Sequence, residues 1–224
     1  MSLDSPTLVL VCRRPTPGSG KRRLARELGE DATQTLADLM LVTALEDLAH
    51  WPGARIIAPA DASDAAWARS LPVDGAGVIP QPGGNLGDRI AAVDRLLRLQ
   101  QHTALLYIGS DAPVLGPDDY LAARAALTRH DVVLGPALDG GVTCMGSRHP
   151  WPPLADLPWG TPELHAALQS RCEQAGFNVE NIATRYDIDV ANDLQRLAAD
   201  LQTDKRPARQ ALYRALESLG YCAR

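Results

Sequence analysis

Short apolar runs alternate with longer segments of helical spacing along this chain, and that alternation commits it to βαβ construction around a parallel sheet. Thr7–Cys12, Ala54–Ala58, Ala104–Ile108 and Asp131–Leu134 are the strand candidates. Between them, Ala32–His50 sets Leu36, Leu39, Met40 and Thr43 on one helical face, and Asp88–Leu99 does the same with Ile90, Val93, Leu96 and Leu97. Pro117–Thr128 and Pro162–Gln174 start with proline, whose missing N–H costs nothing in a first turn. Ala191–Leu201 and Ala208–Leu219 complete the predicted helices. No repeat or linker interrupts the 224 residues, so one domain over 1–224 is expected. The Pro-rich stretch His149–Pro158 reads as a surface excursion and part of a lid, with Trp151 and Trp159 anchoring it or, as the alternative, stacking on a ligand.

Composition narrows the function classes. With 46% hydrophobic and 22% charged residues the chain can bury a core and is not disordered, and at 4% aromatics that core must be aliphatic. A net charge of -5 disfavours a general nucleic-acid or membrane-surface binder. No apolar run approaches membrane-span length, and the first is short and followed directly by arginines, unlike a signal peptide. Cys12, Cys144, Cys172 and Cys222 form no ligand spacing and fit a reducing compartment, so a cytoplasmic protein is expected.

Open α/β sheets bind ligands beyond the carboxyl ends of their strands, so the loops there matter most. The first, RRPTPGSGKRRL, spans Arg13–Leu24 and belongs to a cationic run of Arg13, Arg14, Lys21, Arg22, Arg23 and Arg26. Its glycines let backbone N–H groups approach phosphate while Lys21 and Arg23 neutralise it, the competing reading being a solvated turn. It is not a P-loop, because Pro15 and Arg22 stand where glycine and Ser/Thr are needed, and GxGxxG is absent too. The second loop, IGSDAP, ends the most strand-like run with Gly109, Ser110 and Asp111; a carboxylate there suits Mg²⁺. Helix capping competes with that role, although Asp118 is better placed to cap.

Three further loops carry polar groups. Asp139-Gly140-Gly141 permits close backbone approach to a ligand but equally describes a hairpin turn. In YDIDVANDL, Asp187 and Asp189 alternate on an extended segment, which predicts that they face opposite ways and that only one can serve an ion. Asp193 fits the following helix's first turn. In QPGGNLGDR, Gln81 or Asn85 can bond a base or sugar edge, whereas Asn85 or Asp88 can simply cap the helix.

Taken in order, Pro17-Gly18…Lys21-Arg22-Arg23-Leu24, Gln81…Gly84-Asn85-Leu86-Gly87-Asp88-Arg89, Gly109-Ser110-Asp111-Ala112-Pro113, Gly135-Pro136…Asp139-Gly140-Gly141, Trp159-Gly160-Thr161-Pro162 and Asp187-Ile188-Asp189…Asp193-Leu194 resemble the bacterial DUF2064 family. That group is nucleotide-diphospho-sugar-transferase-like and is labelled glycosyltransferase. It is distantly similar to the guanylyltransferases of molybdenum-cofactor and coenzyme F420 synthesis. The resemblance implies a GT-A fold, that is, a Rossmann-like three-layer α/β/α sandwich with a mixed, mostly parallel sheet. It implies metal, Mg²⁺ or alternatively Mn²⁺, on Asp111 and Asp189, and nucleotide contacts from Arg13, Pro17, Gly18, Gly20, Lys21, Arg23, Gln81, Gly84, Asn85, Leu86, Gly109 and Ser110. One departure stands out: Val142 and Thr143 replace two tyrosines usual in the family, and Asn85 replaces an aspartate.

The expected activity is metal-dependent transfer from a nucleotide-activated donor to a small-molecule acceptor. Nucleotidyl transfer to an anionic acceptor with pyrophosphate release leads, because cations are dense after the first strand, with Lys21, Arg23 and Asp111 in the chemistry. Glycosyl transfer from a nucleotide sugar, with Asp139 as base, is the alternative. A nucleotide-binding protein without catalysis is the third reading.

Overall fold

The computed structural model describes residues 5–18 and 20–222. Seven strands form one sheet: β1 (Thr7–Cys12), β2 (Arg55–Pro59), β3 (Gly77–Val78), β4 (Leu105–Ile108), β5 (Val132–Pro136), β6 (Val142–Ser147) and β7 (Val179–Asn181), in spatial order β3-β2-β1-β4-β6-β5-β7. All pairings are parallel except those of β6, which runs antiparallel to both β4 and β5. This is the expected mixed, mostly parallel α/β sheet. The four anticipated strands lie within a residue or two of their predicted ends, whereas β3, β6 and β7 were not foreseen. β6 escaped because VTCMGS mixes polar and small residues and shows no strand pattern of its own.

Among the described residues the α-helices are α1 (Arg22–Leu28), α2 (Glu30–His50), α3 (Ala65–Arg69), α4 (Leu86–Leu99), α5 (Pro117–Ala126), α6 (Leu164–Gln174), α7 (Ala191–Leu201) and α8 (Pro207–Ser218). Strand alternation divides the core into two layers. Leu8, Leu10, Leu106 and Ile108 pack under α2, α3 and α5, while Val9, Leu105 and Tyr107 face α4 and α6. Burial on both faces explains why the central strands read as unbroken apolar runs. A third cluster joins α1 and α2 to α7 and α8 through Leu24, Leu36, Leu194, Leu212 and Leu216. Among the described residues, no helix is long and apolar enough to cross a membrane.

The Pro-rich excursion is tied down. Trp151 and Trp159 pack against the α4–α6 layer, Arg171 binds the Pro153 carbonyl and Asp156, and the Asn85 amide donates to the Ala155 carbonyl. Gly87 makes the close approach possible, since a Cβ there would lie 2.2 Å from the Leu154 oxygen.

Candidate active site

A cleft of about 610 Å³ opens beyond the carboxyl ends of β1, β2 and β4. Its floor is β1 and β4, whose register sets Leu10 beside Ile108 and brings the Arg13 and Gly109–Asp111 segments side by side. Gly109 leaves the Asp111 carboxylate its place: a Cβ there would meet it at 2.5 Å and turn that side chain aside.

Lys21 occupies the centre. It is the residue before α1, held in the left-handed conformation at φ 42, which is costly for a non-glycine residue and recurs at functional sites. Its ammonium lies 3.1 Å from the Asp189 carboxylate and 3.4 Å from that of Asp111, so a single cation joins acids 78 positions apart in sequence. Burial alone would lower its pKa; attraction from Asp111 and Asp189, the hydrogen bond to Asp189 and the charge of Asp187 together hold it above the ordinary value. The two acid segments are fastened to each other by the Ile188 N–H, which donates to the Asp111 carbonyl at 3.0 Å. Asp193 fixes the second segment by accepting the Asp189 and Val190 N–H groups, each at 2.9 Å, as expected for the first turn of α7.

Asp187 requires a correction. The predicted alternation placed it away from Asp189, yet both line the cleft, because residues 186–190 leave the sheet after an isolated Ala137–Arg185 bridge and do not follow strand geometry. Burial first, then the charges of Asp111, Asp139 and Asp189, push its carboxyl up to about 6, with Lys21 offsetting part of the effect. Asp139 also lines the cleft and accepts the Gly141 N–H at 2.9 Å, closing the turn. Gly140 there has φ +87 and would place a Cβ 2.0 Å from the Pro162 oxygen.

Arg13, Gly20, Arg23, Gln81, Leu86, Gly109 and Ser110 also line the cleft, as does Arg89. Gln81 is buried, its amide nitrogen donating to the Ala58 carbonyl at 2.6 Å. Four anticipated contacts lie outside the lining. Pro17 is exposed beyond it, and the Gly18 N–H is spent on the Glu30 carboxylate at 3.1 Å. The Gly84 carbonyl accepts from Arg89, and Asn85 caps α4 in a reciprocal box with Asp88. Ser19, in the glycine-rich turn, lies outside the described residues. The basic turn also runs directly into α1, so Arg22 and Arg23 sit in a first turn that contains no acid; like charge at the positive pole of a helix is unfavourable until an anion arrives. Capping of α5 falls to Asp119, not Asp118: Asp119 accepts the Gly116 N–H and binds Arg185 at 2.9 Å.

Behind Asp111, the fully buried Arg209 of α8 donates to the Pro113, Leu115 and Thr43 carbonyls and pairs with Glu46 and Asp47. Arg206 adds a bond to the Leu115 carbonyl at 3.1 Å. The loop bearing Asp111 is thus held from below by a cation–carbonyl web. Nothing in the sequence around Arg209 signals this role.

Among the described residues no three His, Cys, Asp or Glu side chains are set to hold a metal by themselves. The donor chemistry nevertheless suits Mg²⁺ or Mn²⁺, which take one or two carboxylates and complete their shell with phosphate oxygens and water. Crowded carboxylates with a lysine between two of them match that need.

A model of the family described as uncharacterized protein conserved in bacteria (DUF2064) matches residues 29–161. No curated protein matches the chain. Among solved structures, a candidate nucleotide-diphospho-sugar transferase of Desulfovibrio desulfuricans G20 is 23% identical, covers 98% of this chain and 100% of its own, and superposes with TM-score 0.86. A cytidylyltransferase of Leptospira borgpetersenii is 11% identical at TM-score 0.55, covering 96% of this chain and 95% of its own. Rv0371c of Mycobacterium tuberculosis H37Rv, in complex with manganese, is 16% identical at TM-score 0.51, covering 86% and 97%. These likenesses establish the fold.

Proposed function

The chain belongs to the DUF2064 family, and from that premise we propose that it is a divalent-metal-dependent transferase using a nucleotide-activated donor, specifically a nucleotidyltransferase. The observation that carries this reading is the Lys21 bridge between Asp111 and Asp189 at the mouth of the parallel strands, with Arg13 and Arg23 on the same cleft. Asp111 and Asp189 would hold the metal, which supplies neutralisation of phosphate oxygens. With the two acids compensated in that way, Lys21, which pairs with both of them here, is released to bind phosphate. Lys21 and Arg23 then stabilise charge accumulating on the leaving group, while Gln81 offers its amide oxygen to the nucleoside. The acceptor's anionic oxygen forms a bond to the α-phosphorus as the bond from that phosphorus to the bridging oxygen breaks, and pyrophosphate leaves carrying the electron pair. Positioning and charge stabilisation suffice for such chemistry, so no strong base is needed.

Glycosyl transfer remains the second reading, favoured by the name of the Desulfovibrio protein and by Asp139, a further carboxylate on the cleft. Product analysis separates the two. Metal-dependent pyrophosphate release from a nucleoside triphosphate supports nucleotidyl transfer, and nucleoside diphosphate release from a nucleotide sugar supports the alternative. Binding of nucleotides without either product, across broad donor and acceptor panels, would leave the non-catalytic reading standing.

A further inference from the structure

One wall of the cleft is unlike the rest. It is made by Val142 at the start of β6, Met145 further along it, Leu164 at the start of α6, and the ring of Trp159. These side chains belong to the α4–α6 core layer, whose edge here reaches the cleft. The polar atoms around them are already committed within the protein. The Trp159 indole N–H donates to the Leu154 carbonyl at 2.8 Å, the buried Thr143 hydroxyl to the Gly135 carbonyl at 3.2 Å, and the Tyr107 hydroxyl to Asp94 at 3.3 Å. Gln81, the amide suited to a nucleoside, lies elsewhere on the cleft, at the end of β3 and hydrogen-bonded to β2.

Sugar hydroxyls turned onto such a wall would give up water for few partners, and each group left unpaired costs about 1–3 kcal/mol. A flat or branched hydrocarbon loses nothing there and gains by leaving water. The arginines of the same cleft, Arg89 and Arg23, need the opposite: an anion.

We propose that the Val142–Trp159 wall is the acceptor subsite and that the acceptor is an apolar- or aromatic-bodied anion, such as an organic phosphate or carboxylate, not a sugar. This rests on the transferase reading for the word acceptor, but the subsite itself is tested by binding alone.

The test uses the full chain and isothermal titration of 1-naphthyl phosphate and, separately, glucose 1-phosphate. The expected result is binding of the naphthyl ester at least about tenfold tighter, equivalent to about 1.4 kcal/mol. Val142→Asn, which sets a polar amide against the ring without adding charge to a site for anions, should weaken the naphthyl ester by about tenfold or more and leave glucose 1-phosphate within about twofold. Val142→Thr, nearly isosteric, guards against misfolding and should show a smaller loss in the same direction. Glucose 1-phosphate binding as tightly as the naphthyl ester, or both Val142 variants binding the ester like the parent, would overturn the proposal. A parallel titration with Mg²⁺ and a nucleoside triphosphate reports on the transferase reading independently: its failure leaves an apolar anion site without a nucleotide, and its success beside an indifferent Val142 removes the subsite alone.

Discussion

Replacing Asp187 by asparagine should make the metal-free protein more stable at neutral pH. Four carboxylates, of Asp111, Asp139, Asp187 and Asp189, share this cleft, and Asp187 bears the consequence: burial and its three neighbours raise it from 3.8 to about 6. That interval is worth about 3 kcal/mol between its protonation states. Because the side chain is only half-buried, solvent screening reduces the usable part to about 1–2 kcal/mol. The sign follows from linkage. The folded form retains a proton that the unfolded chain releases, so stability falls as pH rises from about 4 to about 6, and the full penalty persists above that window. Asp187→Asn should therefore gain about 1–2 kcal/mol near pH 7.5 in chelator, shrinking to a small remainder near pH 4. Urea unfolding of parent and variant at both pH values measures it, and divalent cation added to the parent should recover part of the same gain. Equal gains at the two pH values, or none at the higher, would refute the electrostatic account of the site.

Lys21→Met removes the cation that competes for Asp111 and Asp189; Mn²⁺ titrated by electron paramagnetic resonance should bind several-fold tighter while turnover drops by about a hundredfold or more. Gly140→Ala combines positive φ with a Cβ 2.0 Å from the Pro162 oxygen, so thermal unfolding should reveal a loss above about 3 kcal/mol. Asn85→Ala should cost about 1 kcal/mol of stability and leave the preference among nucleotides unchanged, as befits a helix cap; a shifted base preference with unaltered stability would restore Asn85 as a base reader.

Elements with strong hydrophobic periodicity were readable from the chain: β1 and α7 match their predicted ranges, and α2, α4 and β4 begin within two residues of theirs. What failed were elements defined by their neighbours. β6 is a strand because β4 and β5 flank it, not because VTCMGS prefers one, and the two-residue β3 exists only beside β2. The site divides in the same way. Lys21 and Asp111 stood out because their loops follow apolar runs, whereas only the family resemblance singled out Asp189 over Asp187. Asp187 was misplaced by assuming strand geometry for a segment pinned instead by Asp193 and the Asp111 carbonyl. Gly18, Gly84 and Asn85 carried correct turn signals, but their hydrogen bonds go to Glu30, Arg89 and Asp88 within the protein, and Pro17 stands exposed outside the cleft.

The position of Arg209 has a consequence for how this protein comes into being. The loop that presents Asp111 takes its floor from a residue made almost a hundred positions later. During synthesis the sheet strands and most helices can emerge and begin to pack while that floor is still missing. A nascent chain can therefore acquire its shape before its acids are aligned, and ligand capture by the cleft becomes a late event, timed by the delivery of one arginine.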